Sequence, residues 1–281
     1  MTFQQTLERV QDRKKKLADD AKPLWFRGHR LVKWKLRSRQ HRRFLDVCER
    51  YKVNEDFHIL RQDEKTLFLR FKSQACSLLS PNQTSMWSLL LTMQHYGLPT
   101  RFLDWTESFS CALYFALKDA NGEDAAIFLL SPEQLNTVSA GCEGLVFVDD
   151  FGALPTIDFR PYHPCHLPRP EHELKTIAVC TQMVNPRMVA QRSVFTLSGD
   201  SFESLETEFG DQLSRRGVLE KIVLPRDTLA DARDFLDLIG VTDFTFFPDL
   251  HGLAQSCERD TRRLYELADK LFQEPGEIPP E

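Results

Sequence analysis

Residues 94–105, Gln-His-Tyr-Gly-Leu-Pro-Thr-Arg-Phe-Leu-Asp-Trp, constrain the fold of this chain more than any other stretch. They crowd His95, Tyr96, Thr100, Arg101, Asp104 and Trp105 around a Gly97-Leu98-Pro99 turn, yet apolar segments close the stretch on both sides. Upstream, Trp87, Leu90, Leu91 and Met93 form a dense cluster behind a Thr84 or Ser85 cap, which predicts a buried helix that delivers His95 at its end. Downstream, Thr106 is placed to cap a second helix to Lys118, with Phe109, Ala112, Leu113 and Ala116 at helical spacing. Polar groups held this close to a core must hydrogen-bond to one another or to a ligand. Either His95 is a satisfied cap and Arg101–Asp104 a structural ion pair, or the stretch is the wall of a site.

The rest of the chain supplies a sheet. Leu24-Trp25-Phe26 reads as a short strand that ends at an Arg27-Gly28 turn, and further strands are expected at 125–130, 144–148, 176–180, 193–197, 219–224 and 243–247. Helices are expected at 3–20, 44–76, 228–238 and 250–272, with a polar bend at 185–191, a weakly amphipathic 202–209, a break at Pro81-Asn82-Gln83 and a Pro- and His-rich loop at 154–170. With no repeat and no linker, this predicts an α+β fold, a mixed, largely antiparallel sheet flanked by helices. Residues 1–20 form an N-terminal helix in this reading, 21–255 the main domain, and 256–281 a C-terminal helix and tail.

Composition excludes several classes. Apolar residues make up 42% of the 281, enough for a sizeable core, and 21 Phe predict that much of it is aromatic. Net charge is -5, so the protein as a whole is no general polyanion binder. Locally, however, Arg30 to Arg43 carries seven Lys or Arg interleaved with Leu31, Val32, Trp34 and Leu36. That composition suits phosphates and stacked bases, and it equally suits a solvated surface segment anchored by its apolar residues. Seven scattered cysteines point to free thiols in a reducing compartment, and the absence of a signal-like start or a spanning apolar run points to the cytoplasm and away from membranes.

Among sequence motifs, G-x-G-x-x-G, the P-loop and G-x-S-x-G are all missing. His163, Cys165, His166, His172 and Cys180 lie close in sequence without the paired spacing of a zinc site, so they read as surface residues of a loop and no metal is expected.

Trp25-Phe26-Arg27-Gly28, Leu36 to Arg39, Gln94 to Thr106 with Ala112-Leu113-Tyr114-Phe115-Ala116, Asn185-Pro186-Arg187 through Gln191 with Phe195-Thr196, and Phe246-Phe247-Pro248-Asp249-Leu250 with Gly252 together resemble the FRG domain family across about residues 21–255. Two departures stand out: Arg192-Ser193 follow Gln191 where the family commonly has glycine, and Leu36 to Arg39 lack an expected proline. The family occurs in bacterial and phage-related proteins, so the resemblance implies a role in phage defence or another intracellular conflict system, and the motif order is distantly similar to that of ADP-ribosyltransferases.

On that similarity, NAD is the expected substrate and an ADP-ribosyltransferase-like transfer the expected reaction. Arg27 would clamp the pyrophosphate and Gly28 would let backbone approach the ligand. His95 and Thr100 would hydrogen-bond the ribose or carboxamide, Tyr96 or Trp105 would stack the nicotinamide, and Gly97 and Arg101 complete the cofactor wall. Gln191 would orient the ribose from a late strand, with Asp104 as the negative charge for an oxocarbenium-like cation. The acceptor is expected to be nucleic acid or protein, with nucleic-acid contact through 30–43. A non-catalytic nucleotide or nucleic-acid binding module, or a structural scaffold, uses the same residues.

Overall fold

Ala-Ala-Ile-Phe-Leu-Leu at 125–130 offers no polar position to water on either face, and the chain buries all of it in the middle of a sheet. The structure, a computed structural model, describes residues 2–18, 22–79, 85–120, 122–148, 158–166 and 173–273. Its strands are β1 (Trp25–His29), β2 (Phe102–Thr106), β3 (Ala125–Leu130), β4 (Val146–Val148), β5 (Ile177–Thr181), β6 (Ser193–Leu197), β7 (Glu208–Asp211) and β8 (Leu219–Leu224). Seven of them form one sheet in the order β4-β5-β6-β2-β1-β3-β8, antiparallel except for β4 beside β5.

The helices are α1 (Phe3–Ala18), α2 (Arg39–Tyr51), α3 (Phe57–Ala75), α4 (Met86–His95), α5 (Phe109–Leu117) and α6 (Pro132–Ala140). They continue with α7 (Pro186–Ala190), α8 (Gln212–Arg215), α9 (Leu229–Leu238), α10 (Asp243–Phe246) and α11 (Leu250–Gln273). The expected α+β class, a mixed and mainly antiparallel sheet flanked by helices, is the fold observed.

Strand alternation sorts the core into layers. Phe26, Ile127, Leu129, Ile222 and Leu224 face α1, α5 and α9. On the neighbouring half of the sheet Phe102, Phe195, Ile177 and Val179 pack on Phe68 of α3 and on Trp87, Leu90 and Met93 of α4. Trp25, Leu103, Trp105, Ala126, Phe128 and Val194 form the reverse face with Leu36, Leu135 and Leu213. Phe102 meets Phe195 at 5.3 Å and Trp87 meets Phe159 at 5.7 Å between ring centroids, the aromatic interior that the composition predicts.

One ion pair lies inside this apolar packing. Arg101 Nε donates to Glu64 Oε2 at 2.9 Å, with side chains 0% and 1% exposed, and the same guanidinium donates to the carbonyls of Ser198 and Tyr162. Arg61, also buried, donates to the carbonyls of Pro161 at 2.7 Å and His166 at 3.1 Å, so two arginines hold the 158–166 segment on α3.

Several expectations are corrected. The strand does not stop at Arg27-Gly28 but runs to His29, and Gly28 serves helix packing: a Cβ there would lie 1.9 Å from the Ala112 carbonyl oxygen of α5. Residues 102–106, read as the end of a polar turn, are a central strand, and Ser108, not Thr106, caps α5. The 44–76 helix is two helices, because Lys52 adopts a left-handed φ of 52° and Asp56 starts a new cap. Of the strand expected at 243–247, residues Asp243–Phe246 are helical, with a Thr242–Thr245 capping box overriding the aromatic β-propensity. His163 is 2% exposed against Phe68 and Trp87, a core histidine and no surface one. The expected break at 81–83, residues 154–157 and 167–170 of the expected loop, His172 and the tail after Pro275 lie outside the described residues.

Arg192, in the position where glycine was expected, has φ 46°. A left-handed side chain costs about 1–2 kcal/mol, which glycine avoids at some cost in backbone entropy. Arg192→Gly is therefore expected to stabilise the fold by about 1 kcal/mol, read as a higher denaturant midpoint at unchanged slope.

Candidate functional site

β1 pairs with β3 over five positions, and β2 pairs with β6 over five, but β1 and β2 share only Phe26 against Thr106. Beyond that pair the two central strands part, and a cavity of about 850 Å³ opens between 26–29 and 102–106. The segment after β1, the C-terminal end of α4, one side of α5 and the α7 turn close its walls.

Asp104 occupies the middle of β2, the one exposed position in a strand whose other residues are buried. Gln94 Nε2 donates to Asp104 Oδ2 at 2.9 Å, while Gln94 Oε1 accepts from Thr100 Oγ1 at 2.6 Å. Thr100 Oγ1 accepts in turn from the Phe102 amide at 3.2 Å. This chain fixes which end of the Gln94 amide meets the carboxylate of Asp104, a residue that lines the cavity. From across the gap, Arg27 donates through Nη1 to the Asp104 carbonyl and through Nε to His29 Nε2 at 3.0 Å. Burial, with Arg27 adjacent, pulls the His29 pKa down to about 3, so the ring is neutral and can accept that bond. Burial likewise pulls Arg27 down to about 10, opposed by Asp104, and the guanidinium stays charged at neutral pH.

Of the residues lining the cavity, nine are Lys or Arg and two are acidic, in a chain whose net charge is -5. The basic stretch 30–43 accounts for most of them, so it is a wall of the site as well as a surface segment. Arg39 Nη1 donates to the Gly97 carbonyl and so ties the start of α2 to the turn after α4, where Gly97 has φ 78°. Burial lowers the pKa of Arg42 and of Arg187, the energetic sign of cations held partly out of water. His95, half-buried at the rim, is lowered by burial and by Arg187.

The structure brings Arg27, Gly28, His95, Gly97, Asp104, Trp105 and Gln191 to this one cavity, so the three sequence segments converge as expected. Thr100, Tyr96 and Arg101 do not line it. Thr100 stands behind Gln94, Tyr96 is 74% exposed elsewhere, and Arg101 is spent on Glu64 instead of pairing with Asp104. Trp105 touches the cavity but is 3% exposed, with its indole N–H on Thr196 Oγ1 at 3.2 Å, so it is a core ring and offers no stacking face. Gln191 sits on the C-cap of α7, not on a strand, and its amide donates to the Phe246 carbonyl at 3.0 Å.

Sequence reasoning missed Gln94 as a member of the site although it begins the central stretch, and Arg187 although it lies in the Asn-Pro-Arg motif. His29 carried no signal beyond standing two residues from Arg27 on the same face of a strand.

The fold and the site define an α+β protein with a cationic cavity in a parted sheet. Residues 22–125, which supply β1, β2, α2 to α5 and most of the cavity's cations, match the family model of the FRG domain. The chain carries an FRG domain over these residues. No curated protein and no solved structure matched it. Among the described residues no helix is long and apolar enough to cross a membrane.

Proposed function

We propose that the cavity binds a dinucleotide of the NAD class and that the protein is an ADP-ribosyltransferase-like enzyme. The observation that carries this reading is the Asp104 carboxylate, presented from a central strand into a cavity lined by nine Lys or Arg and two acidic residues. Guanidinium groups bind pyrophosphate oxygens in bidentate fashion, and Arg27, Arg42 and Arg39 stand on one wall. In the transfer, the bond from ribose C1′ to the nicotinamide nitrogen breaks, its electron pair leaves with the nicotinamide, and an acceptor nucleophile bonds C1′. Asp104 faces the positive charge that develops on the ribose, and Gln94 holds that carboxylate in place. Gly28 keeps the α5 wall close, while His95 and Gln191 offer polar groups at the rim.

The domain extends in this reading from 21 to about 255, because Arg187, Gln191 and β6 complete a cavity whose other walls come from 26–119. The FRG resemblance supports a place in phage defence or another bacterial intracellular conflict, and seven cysteines scattered without a regular framework fit the reducing cytoplasm.

The test is incubation with labelled NAD, with and without RNA, DNA and protein acceptors, comparing the protein with Arg27→Ala and Asp104→Ala. Absence of both label transfer and nicotinamide release under every condition removes the transferase reading. Arg27→Gln is expected to weaken binding of inorganic pyrophosphate about tenfold to a hundredfold, as for loss of a charged hydrogen bond, measured by calorimetry.

A second reading is favoured by Trp34, 40% exposed at the cavity mouth with Arg30 at 4.9 Å over its ring. An aromatic beside cations suits a nucleic-acid strand bound without chemistry. Binding of single-stranded oligonucleotide with a steep salt dependence that Arg37→Ala reduces, in the absence of any NAD turnover, would select it.

A further inference from the structure

Arg187 differs from the other cations of the cavity in what holds it. Its Cζ lies 4.4 Å from the centre of the Phe247 ring, and Lys118 Nζ lies 4.5 Å from the same ring. No acidic side chain pairs with Arg187 within 4.0 Å among the described residues, and none of its N–H groups donates a hydrogen bond to them, although it is half-buried. Lys118 has Asp243 at 3.7 Å, a distance that leaves its ammonium donors available. Phe247 itself is fixed: its amide donates to the Asp243 carbonyl at 2.9 Å, and Gly252 abuts it so closely that a Cβ there would lie 1.9 Å from the Phe247 carbonyl oxygen. The C-terminal segment thus supplies a closely packed ring against which two cations of the cavity rest.

Those cations stand apart from the Arg27 wall. β1 and β6 flank β2 on opposite sides, Arg27 belongs to β1, and Arg187 belongs to α7, which leads into β6. Asp104 lies between them on β2, within electrostatic reach of Arg27, Arg42 and Arg187 alike.

We propose that Arg187 and Lys118, backed by Phe247, form a second phosphate subsite, so that the cavity takes anionic groups on both sides of Asp104. The inference rests on the anion-binding reading of the cavity and deepens it: the pyrophosphate occupies the Arg27 side, and a phosphomonoester occupies the Arg187 side. That phosphate belongs either to the ribose of the dinucleotide or to the end of a nucleic-acid acceptor.

The experiment is calorimetric titration of the full chain and of Arg187→Gln and Phe247→Leu with five probes: inorganic pyrophosphate, NAD against NADP, and a short single-stranded DNA with a 5′-phosphate against one with a 5′-hydroxyl. In the unmodified protein one of the two pairs is expected to show about a tenfold gain from the extra phosphate, as for a charged hydrogen bond. Arg187→Gln should remove that gain while changing pyrophosphate affinity by less than about twofold, and Phe247→Leu, which keeps apolar packing but loses the ring, should reduce it several-fold. A gain confined to NADP assigns the phosphate to the dinucleotide, and a gain confined to the 5′-phosphorylated strand assigns it to the acceptor. Pyrophosphate binding with no gain in either pair, or a loss in Arg187→Gln that is equal for all probes, overturns the second subsite alone. If no probe binds at all, the anionic reading of the cavity falls first and this inference with it. Circular dichroism of both variants guards against misfolding as the cause of a loss.

Discussion

Asp104→Asn is expected to reduce nicotinamide release from NAD by about a hundredfold to ten-thousandfold, the range typical of losing a group that meets charge in a transition state. The substitution conserves shape, and the side-chain carbonyl of Asn can still accept from Gln94 Nε2, so the local chain from Thr100 through Gln94 persists. What disappears is the negative charge opposite the developing cation. Because the cavity carries nine basic residues and two acidic ones, removing one of the acidic pair should leave dinucleotide affinity unchanged or tighten it up to about tenfold. A fall in turnover with affinity kept or improved is a signature that structural damage does not give. Steady-state kinetics together with direct titration would decide, and an Asn variant that turns over at full rate would end the role assigned to Asp104.

Glu64→Ala should have the largest effect on stability, about 3–5 kcal/mol, because it strands the Arg101 guanidinium in a site from which water is excluded. In a chain of this size, that corresponds to a melting temperature lower by roughly 10 °C. Two carbonyl partners, Ser198 and Tyr162, remain to Arg101 but cannot neutralise it. Glu64→Gln keeps an acceptor and should cost less. Replacing both partners with Leu and Met should recover much of the loss, since the pair is surrounded by the apolar packing of α3, α4 and β2. The same series separates structure from binding. Were Arg101 a ligand contact, Glu64→Ala would alter affinity with little change in melting.

The contrast between these two carboxylates shows what could and could not be read along the chain. The central stretch announces a concentration of polar groups, and four of its polar side chains, Gln94, His95, Asp104 and Trp105, do reach the cavity. Nothing in the linear order tells that Arg101 turns towards Glu64, which lies 37 positions earlier, because that choice depends on how α3 packs on the sheet. Strands such as 125–130 and 219–224 are legible to the residue because continuous apolar or alternating side chains leave one solution. β2 is hidden because Asp104 interrupts its apolar run, and an interrupted run between two helices resembles a turn. The Phe-rich 243–246 segment inverts the problem: β-propensity suggests a strand, but a capping box and tight contact with α11 enforce a helix. Arg187 was within a recognisable motif, yet its function depends on Phe247 sixty residues later, a partnership set by tertiary structure alone.

The parting of β1 from β2 has a thermodynamic corollary. Two neighbouring central strands joined at a single register pair are a seam, and whatever bridges Gly28 and Asp104 mends it. A ligand that binds only the folded seam adds RT ln(1 + [L]/Kd) to stability, about 2.7 kcal/mol at a hundred times Kd. Occupancy and cohesion are then the same quantity measured in two ways. A melting curve taken across a panel of nucleotides thus becomes an assay for the natural ligand that needs no knowledge of the reaction.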